Sequence, residues 1–209
     1  MFGIIHFEVF LISALLLNLT PGNDTMYIIS RSVTQGKRAG IYSALGITSG
    51  AVVHTILASL GLTVILMKSV LLFTIIKIIG ALYLIYLGVN LLINKKTNHE
   101  EQIASKYMSN KKIYLQGLIT NVTNPKVALF FLAFIPQFIS TGNSSPLPFM
   151  ILGLTFCVTG GLWCVIVALF SSLLTKKLRQ SSKIEQILNK LTGIIFIAMG
   201  IKLFKTKAA

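Results

Sequence analysis

Long apolar stretches fill this sequence, and their length restricts the solvent they can face. Six of them, at about 4–29, 40–66, 70–93, 114–139, 147–174 and 188–204, contain few charges. A helix needs roughly 20 apolar residues to cross the hydrocarbon core, with a range of about 17–25. Strands of a membrane barrel would instead alternate over about ten positions, and no such alternation occurs. The first stretch lacks a basic lead, carries Glu8 and stays apolar through Ile29, which does not fit a cleaved signal peptide. Charged residues make up 11% of the chain, against about 25% in a soluble domain. An ordinary soluble enzyme is therefore excluded. The expected fold is all-α and integral to the membrane, a single transporter domain over 1–209 with six transmembrane helices.

The net charge of +14 would suggest nucleic acid if the charges lay on one face. They lie between the apolar stretches instead. Arg31, Lys37 and Arg38 follow the first stretch. Lys95, Lys96, Lys106, Lys111 and Lys112 follow the third, and Lys176, Lys177, Arg179, Lys183 and Lys190 follow the fifth. These alternate links hold thirteen of the nineteen basic residues. Basic loops stay cytoplasmic, so the odd-numbered links face the cytoplasm and both termini face out. Lys68, Lys77, Lys202, Lys205 and Lys207 fall on the other side, where the turn Ser140–Pro148 is neutral. A five-span arrangement, with a re-entrant first helix and the N-terminus inside, stays open. The charge is an orientation signal, and no nucleic-acid partner is expected.

The chain also repeats itself. Lys77-Ile-Ile-Gly80-Ala-Leu-Tyr-Leu-Ile-Tyr-Leu-Gly88 resembles Lys190-Leu-Thr-Gly193-Ile-Ile-Phe-Ile-Ala-Met-Gly200 with one residue deleted. Upstream, Asn18-Leu-Thr-Pro21-Gly22 parallels Asn121-Val-Thr-Asn124-Pro125-Lys126 in the same order and at near-equal spacing. A three-helix repeat spans an odd number of times, so its second copy inserts upside down. Two inverted repeats are expected, about 1–95 and 114–209, joined by a cytoplasmic link at about 94–113. Secondary transporters use this architecture, with sites near the midplane at broken helices. Pro21-Gly22 breaks helix 1 and Pro125 breaks helix 4, because proline removes a donor and clashes with the preceding turn. Freed backbone groups in lipid need protein, water or ligand partners, so paired breaks point to a central polar cavity.

Asp24 lies just past the first break. A carboxylate at that depth costs at least about 2.5 kcal/mol and marks a pathway by default. It would hold a substrate ammonium or carry a coupling proton; the plainer alternatives are a helix-locking ion pair or a place among the cytoplasmic headgroups. Lys126 follows the second proline and would pair with Asp24 or bind a substrate carboxylate, which a helix N-terminus after Pro125 would also favour. Asn18, Thr20, Asn23, Asn121, Thr123 and Asn124 add neutral donors and acceptors suited to a zwitterion. The expected substrate site is thus Asn18, Thr20, Pro21, Gly22, Asn23, Asp24, Asn121, Asn124, Pro125 and Lys126. His54 shares a helix face with Gly46, Gly50 and Ala58; it is either a packed neutral residue or, with Asp24, part of the proton coupling. Gln137 would line an exit or start a turn. The basic turn at Arg31–Gly40 reads as solvated, lipid-facing charge, and Cys157 and Cys164 as packing residues.

Three features carry a family resemblance. The first is Thr20-Pro21-Gly22-Asn23-Asp24, followed by Ser30-Arg31 and by Gln35-Gly36-Lys37-Arg38-Ala39-Gly40. The second is the Gly46, Gly50, His54 spacing, and the third is Asn124-Pro-Lys-Val-Ala-Leu-Phe-Phe-Leu-Ala-Phe-Ile-Pro136-Gln-Phe138. Together they resemble the LysE/RhtB family of amino-acid exporters, over essentially the whole chain. The resemblance implies a bacterial inner-membrane carrier that exports amino acids or close derivatives by proton antiport. Family substrates include lysine, arginine, threonine, homoserine and its lactone, and leucine. The family often has proline where this chain has Asn23. An exporter of a metal or other small ion on the same fold is the alternative, though one Asp24 is thin for a dication. A membrane-embedded enzyme would need a nucleophile–base pair or metal cluster, and no spacing assembles one. No cofactor or metal is expected, no P-loop pattern occurs, and a homodimer is compatible with the Gly-rich helix faces.

Overall fold

The computed structural model describes residues 2–62, 70–93, 107–140, 145–171 and 182–205. Lys68, Lys95, Lys96, His99, Lys106, Lys176, Lys177, Arg179 and Lys207 lie outside the described residues, as does 141–144 of the neutral turn. So do the side chains of Lys77, Lys183, Lys202 and Lys205. The described elements are helical, apart from one isolated bridge. In chain order they are α1 (Phe7–Leu19), α2 (Asn23–Gln35), α3 (Lys37–Leu57), α4 (Val70–Ile93), α5 (Asn110–Val122), α6 (Pro125–Leu129), α7 (Leu147–Ser171) and α8 (Ser182–Lys205). A π turn, Ala58–Leu62, extends α3; a π turn, Phe130–Phe134, and a 3-10 turn, Ile135–Phe138, extend α6.

Among the described residues, Lys37–Gly61 and Leu147–Ser171 are long and apolar enough to cross a membrane. A third such span results if Asn110–Val122 and Pro125–Phe138, bent by 47° at their junction, are taken together. Large apolar side chains point outward along these helices, including Leu45, Ile56, Ile119, Leu154, Val158 and Leu162. In lipid this exposure carries no hydrophobic cost, and tight helix contact relies on small residues instead. The contacts follow that rule. On α3 and α5, a Cβ at Gly46 would run into the backbone of Tyr114, and one at Gly117 would lie 2.9 Å from the Ser43 carbonyl. On α4 and α8, Cβ atoms at Gly88 and Gly193 would lie 2.6 and 2.8 Å from each other's carbonyl oxygens. One at Gly200 would lie 2.8 Å from the carbonyl of Ala81.

Aromatic packing closes one end of the bundle. Phe10, Phe130, Phe131, Phe134, Phe138, Phe149 and Phe156 are all buried in one cluster; Phe130 stacks on Phe134 at 4.6 Å and packs tilted against Phe156 at 4.7 Å. The wider π turn brings Phe130, Phe131 and Phe134 to the same inner side. The chain start is sewn to this end by an antiparallel bridge between Ile4 and Ile139. Ile5 N–H donates to the Phe138 carbonyl and Ser140 N–H to the Gly3 carbonyl, each at 2.8 Å.

At the other end, α2 is tied to α5. Tyr27 Oη donates to the Ile113 carbonyl at 2.8 Å, and Gln35 exchanges bonds with the backbone of Met108. Arg31 donates to Gln35 and Gln116 and is only 8% exposed. The solvated charge expected here is instead buried between two helices that offer side-chain acceptors. Gly36 turns the chain into α3 at φ 84°, a left-handed conformation that a Cβ disfavours.

Candidate functional site

The two proline-containing breaks meet at the centre of the bundle, and each supplies what the other lacks. At the end of α1, Thr20 is extended and takes the Leu16 carbonyl through both its N–H and its Oγ1. The carbonyls of Leu17 and Thr20 remain, and Lys126 Nζ donates to both at 3.1 Å. Past the break, Asp24 opens α2. Its Oδ2 accepts from Asn121 Nδ2 at 2.7 Å and its Oδ1 from Asn124 Nδ2 at 3.1 Å. Asn124 also caps α6, since its Oδ1 accepts the Lys126 N–H at 3.0 Å. A helix is partly negative at its C-terminus and partly positive at its N-terminus. The ammonium of Lys126 therefore sits at the C-terminal end of α1, and the carboxylate of Asp24 at the N-terminal end of α2. Neither charge is bonded directly to the other.

These groups line a cavity of about 50 Å³, roomy and polar enough to hold ordered water. Asn18, Thr20, Gly22, Asp24, Asn121, Asn124 and Lys126 face it, with Leu17, Ile47, Ala51, Val127 and Phe156 as apolar wall. Of the residues expected at the site, Pro21, Asn23, Pro125 and His54 do not line it. The prolines shape the backbone, and Asn23 is exposed. His54 is buried behind the cavity, with Nε2 3.2 Å from the Asn121 carbonyl and its ring 5.6 Å from that of Phe131. It thus touches the backbone of Asn121, whose side chain holds Asp24. Thr123 is exposed and bonds only to carbonyls of its own helix. Gln137 lies at the aromatic end and donates to the Ala133 carbonyl.

The opposite wall was missed by sequence reasoning. It comes from α7, through Phe156, Cys157, Gly160, Gly161, Trp163 and Cys164. Thr159 accepts from Asn18 Nδ2 at 3.3 Å, and a Cβ at Gly160 would lie 3.0 Å from Asn18 Oδ1. Helix α7 is apolar on every side, so its composition gives no sign of which face looks inward. Its lone indole was the available signal. Thr192 of α8 shares a short hydroxyl–hydroxyl bond with Thr20, anchoring the first break from a third direction. Cys157 and Cys164 are free thiols on the cavity wall. Among the described residues no group of three His, Cys, Asp or Glu is placed to hold a metal ion.

Residues 15–207 match the family model described as LysE type translocator. An uncharacterized membrane protein of Bacillus subtilis, YrhP, is 34% identical over 197 residues, which is 90% of this chain and 93% of the relative. Leucine efflux proteins of Klebsiella pneumoniae and Salmonella typhimurium are 28% and 27% identical over 203 residues, 97% of this chain and 96% of each relative. No solved structure matches the chain.

Proposed function

The chain belongs to the LysE type translocators, and on that footing we propose that it exports amino acids across the bacterial inner membrane in exchange for protons. One observation carries the reading. Two helix breaks satisfy each other crosswise around a small cavity holding one carboxylate and one ammonium. Broken helices facing a midplane cavity are how secondary transporters bind small ionic solutes. Six transmembrane helices in two inverted repeats complete the proposal. In its support, exchanging Gly88 with Gly200 and Gly193 with the Gly80–Ala81 step turns one α4–α8 contact into the other, as a two-fold axis between repeats requires. The proposal puts the Arg31–Met108 end in the cytoplasm and the aromatic end outside, and the basic links support it.

In the cycle we propose, substrate enters from the cytoplasm and its ammonium docks on Asp24 beside the bonds from Asn121 and Asn124. One repeat then rocks against the other until the aromatic end opens. A proton from outside neutralises Asp24 and releases the substrate, and loss of that proton inside restores the cation site. His54 keeps Asn121 in position throughout. Leucine, the solute in the relatives' names, heads the panel to test. Inverted membrane vesicles under an imposed pH gradient should accumulate labelled amino acid with native protein. Asp24→Asn, a neutral mimic of the protonated and substrate-releasing state, should abolish gradient-driven accumulation. Unchanged accumulation in that variant would remove Asp24 from the coupling, and no accumulation of any amino acid by native protein would overturn the exporter assignment.

A further inference from the structure

The cavity has hydrogen-bonding capacity that its own walls do not use. An ammonium has three donors and a carboxylate has about four acceptor positions. Lys126 gives two donors to carbonyls, and Asp24 accepts two amide bonds. One donor and about two acceptor positions are therefore left over. Trp163 adds another donor: its indole Nε1 is buried with no protein acceptor, and the residue lines this cavity. Buried donors are nearly always paired, and one left alone at a functional site calls for an explanation. Two unused donors, on Lys126 and Trp163, together with unused acceptor positions on Asp24, match one carboxylate and one ammonium.

Resting on the exporter reading, we propose that Trp163 and Lys126 form the carboxylate subsite, and Asp24 the ammonium subsite, for a monoamino monocarboxylic acid with an uncharged apolar side chain. The charge balance sets the class. Asp24 and Lys126 are the charged residues among those lining the cavity, and they cancel. A zwitterion keeps that balance, whereas a lysine or arginine side chain would bring a cation and a glutamate side chain an anion, with no wall residue of opposite charge for either. A buried unpaired charge is far costlier than a buried methyl group. The rest of the wall, Leu17, Ile47, Ala51, Val127 and Phe156, offers an aliphatic side chain the contacts it needs. Trp163 is thus a specificity-determining residue that recognises the carboxylate.

The chain contains one tryptophan, so intrinsic fluorescence of the purified native protein reports on this site without any mutation. Leucine should give a saturable change in Trp163 emission. Leucinamide, which keeps the side chain and amine but lacks the carboxylate, should give none, and neither should lysine. An equal response to leucinamide overturns the carboxylate role, and an equal response to lysine overturns the side-chain class. In vesicles, Trp163→Phe should raise the KM for leucine by roughly 10- to 150-fold, the span of one hydrogen bond to a charged group, with kcat within about twofold. A merely structural role would instead lower the rate at unchanged KM, and that result would also overturn the assignment. Leucine transport with no movement of Trp163 emission sinks this proposal alone. Failure of the vesicles to carry any amino acid sinks the exporter reading, and this proposal with it.

Discussion

Lys126→Met removes the ammonium and keeps most of the stem, so it isolates the polar part of the crosswise arrangement. Two hydrogen bonds from a charged donor are lost, to the carbonyls of Leu17 and Thr20. Each is worth about 1.5–3 kcal/mol, giving roughly 3–6 kcal/mol in all. Release from the need to bury an ammonium offsets some of this, so the net loss should be about 3 kcal/mol. For a chain of this size that lowers Tm by about 6–12 °C. Thermal unfolding in detergent, followed by the exposure of Cys157 and Cys164 to a thiol-reactive dye, measures it. Combining Lys126→Met with Asp24→Asn returns the cavity to neutrality. The double variant should therefore be more stable than the sum of the single losses by about 1–2 kcal/mol. A Lys126→Met protein melting within about 2 °C of native would refute the idea that this ammonium staples the first break. Strict additivity in the double variant would refute the electrostatic link to Asp24.

Two further outcomes test the surrounding packing. A Cβ on Gly80 would overlap that of Ala133, while the next atom, Ala133 Cα, would lie at 3.4 Å. Gly80→Ala alone should cost about 1–3 kcal/mol by overpacking, and Gly80→Ala with Ala133→Gly should restore Tm to within about 2 °C. Ser32 Oγ is buried without a partner, so Ser32→Ala should leave Tm unchanged or raise it slightly; a clear drop in a melting curve would show that the hydroxyl has a partner in solution.

The parts of this protein legible in its sequence are those where one residue type forces one geometry. Pro21 and Pro125 break helices because proline cannot continue the hydrogen-bond ladder, and α1 and α5 do end just before them. The grouping of Asp24, Asn121, Asn124 and Lys126 was legible for the same reason, because matched breaks in a bundle face one interior. Who bonds to whom was not. Pairing of Lys126 with Asp24 was one option on charge alone, but each charge is satisfied by the helix end and the amides nearest to it. The place of α7 was hidden for a different reason. Its residues are apolar on every side, and in a bilayer an outward Leu154 or Leu162 looks like an inward Phe156. The Ile4–Ile139 bridge and the π turn after α6 depend on tertiary contacts between segments far apart in the chain, which no local pattern reports.

The stapling of the first break by Lys126 has a consequence for how the chain is made. Thr20 and Lys126 are separated by 106 positions. At about 5–20 residues per second, the ribosome delivers Lys126 roughly 5–20 s after Thr20. For that interval the nascent first helix holds carbonyls that its final partner has not yet reached, and a bare carbonyl cannot wait in hydrocarbon without a penalty of several kcal/mol. These carbonyls are therefore expected to stay beside water or the insertion machinery until Lys126 arrives.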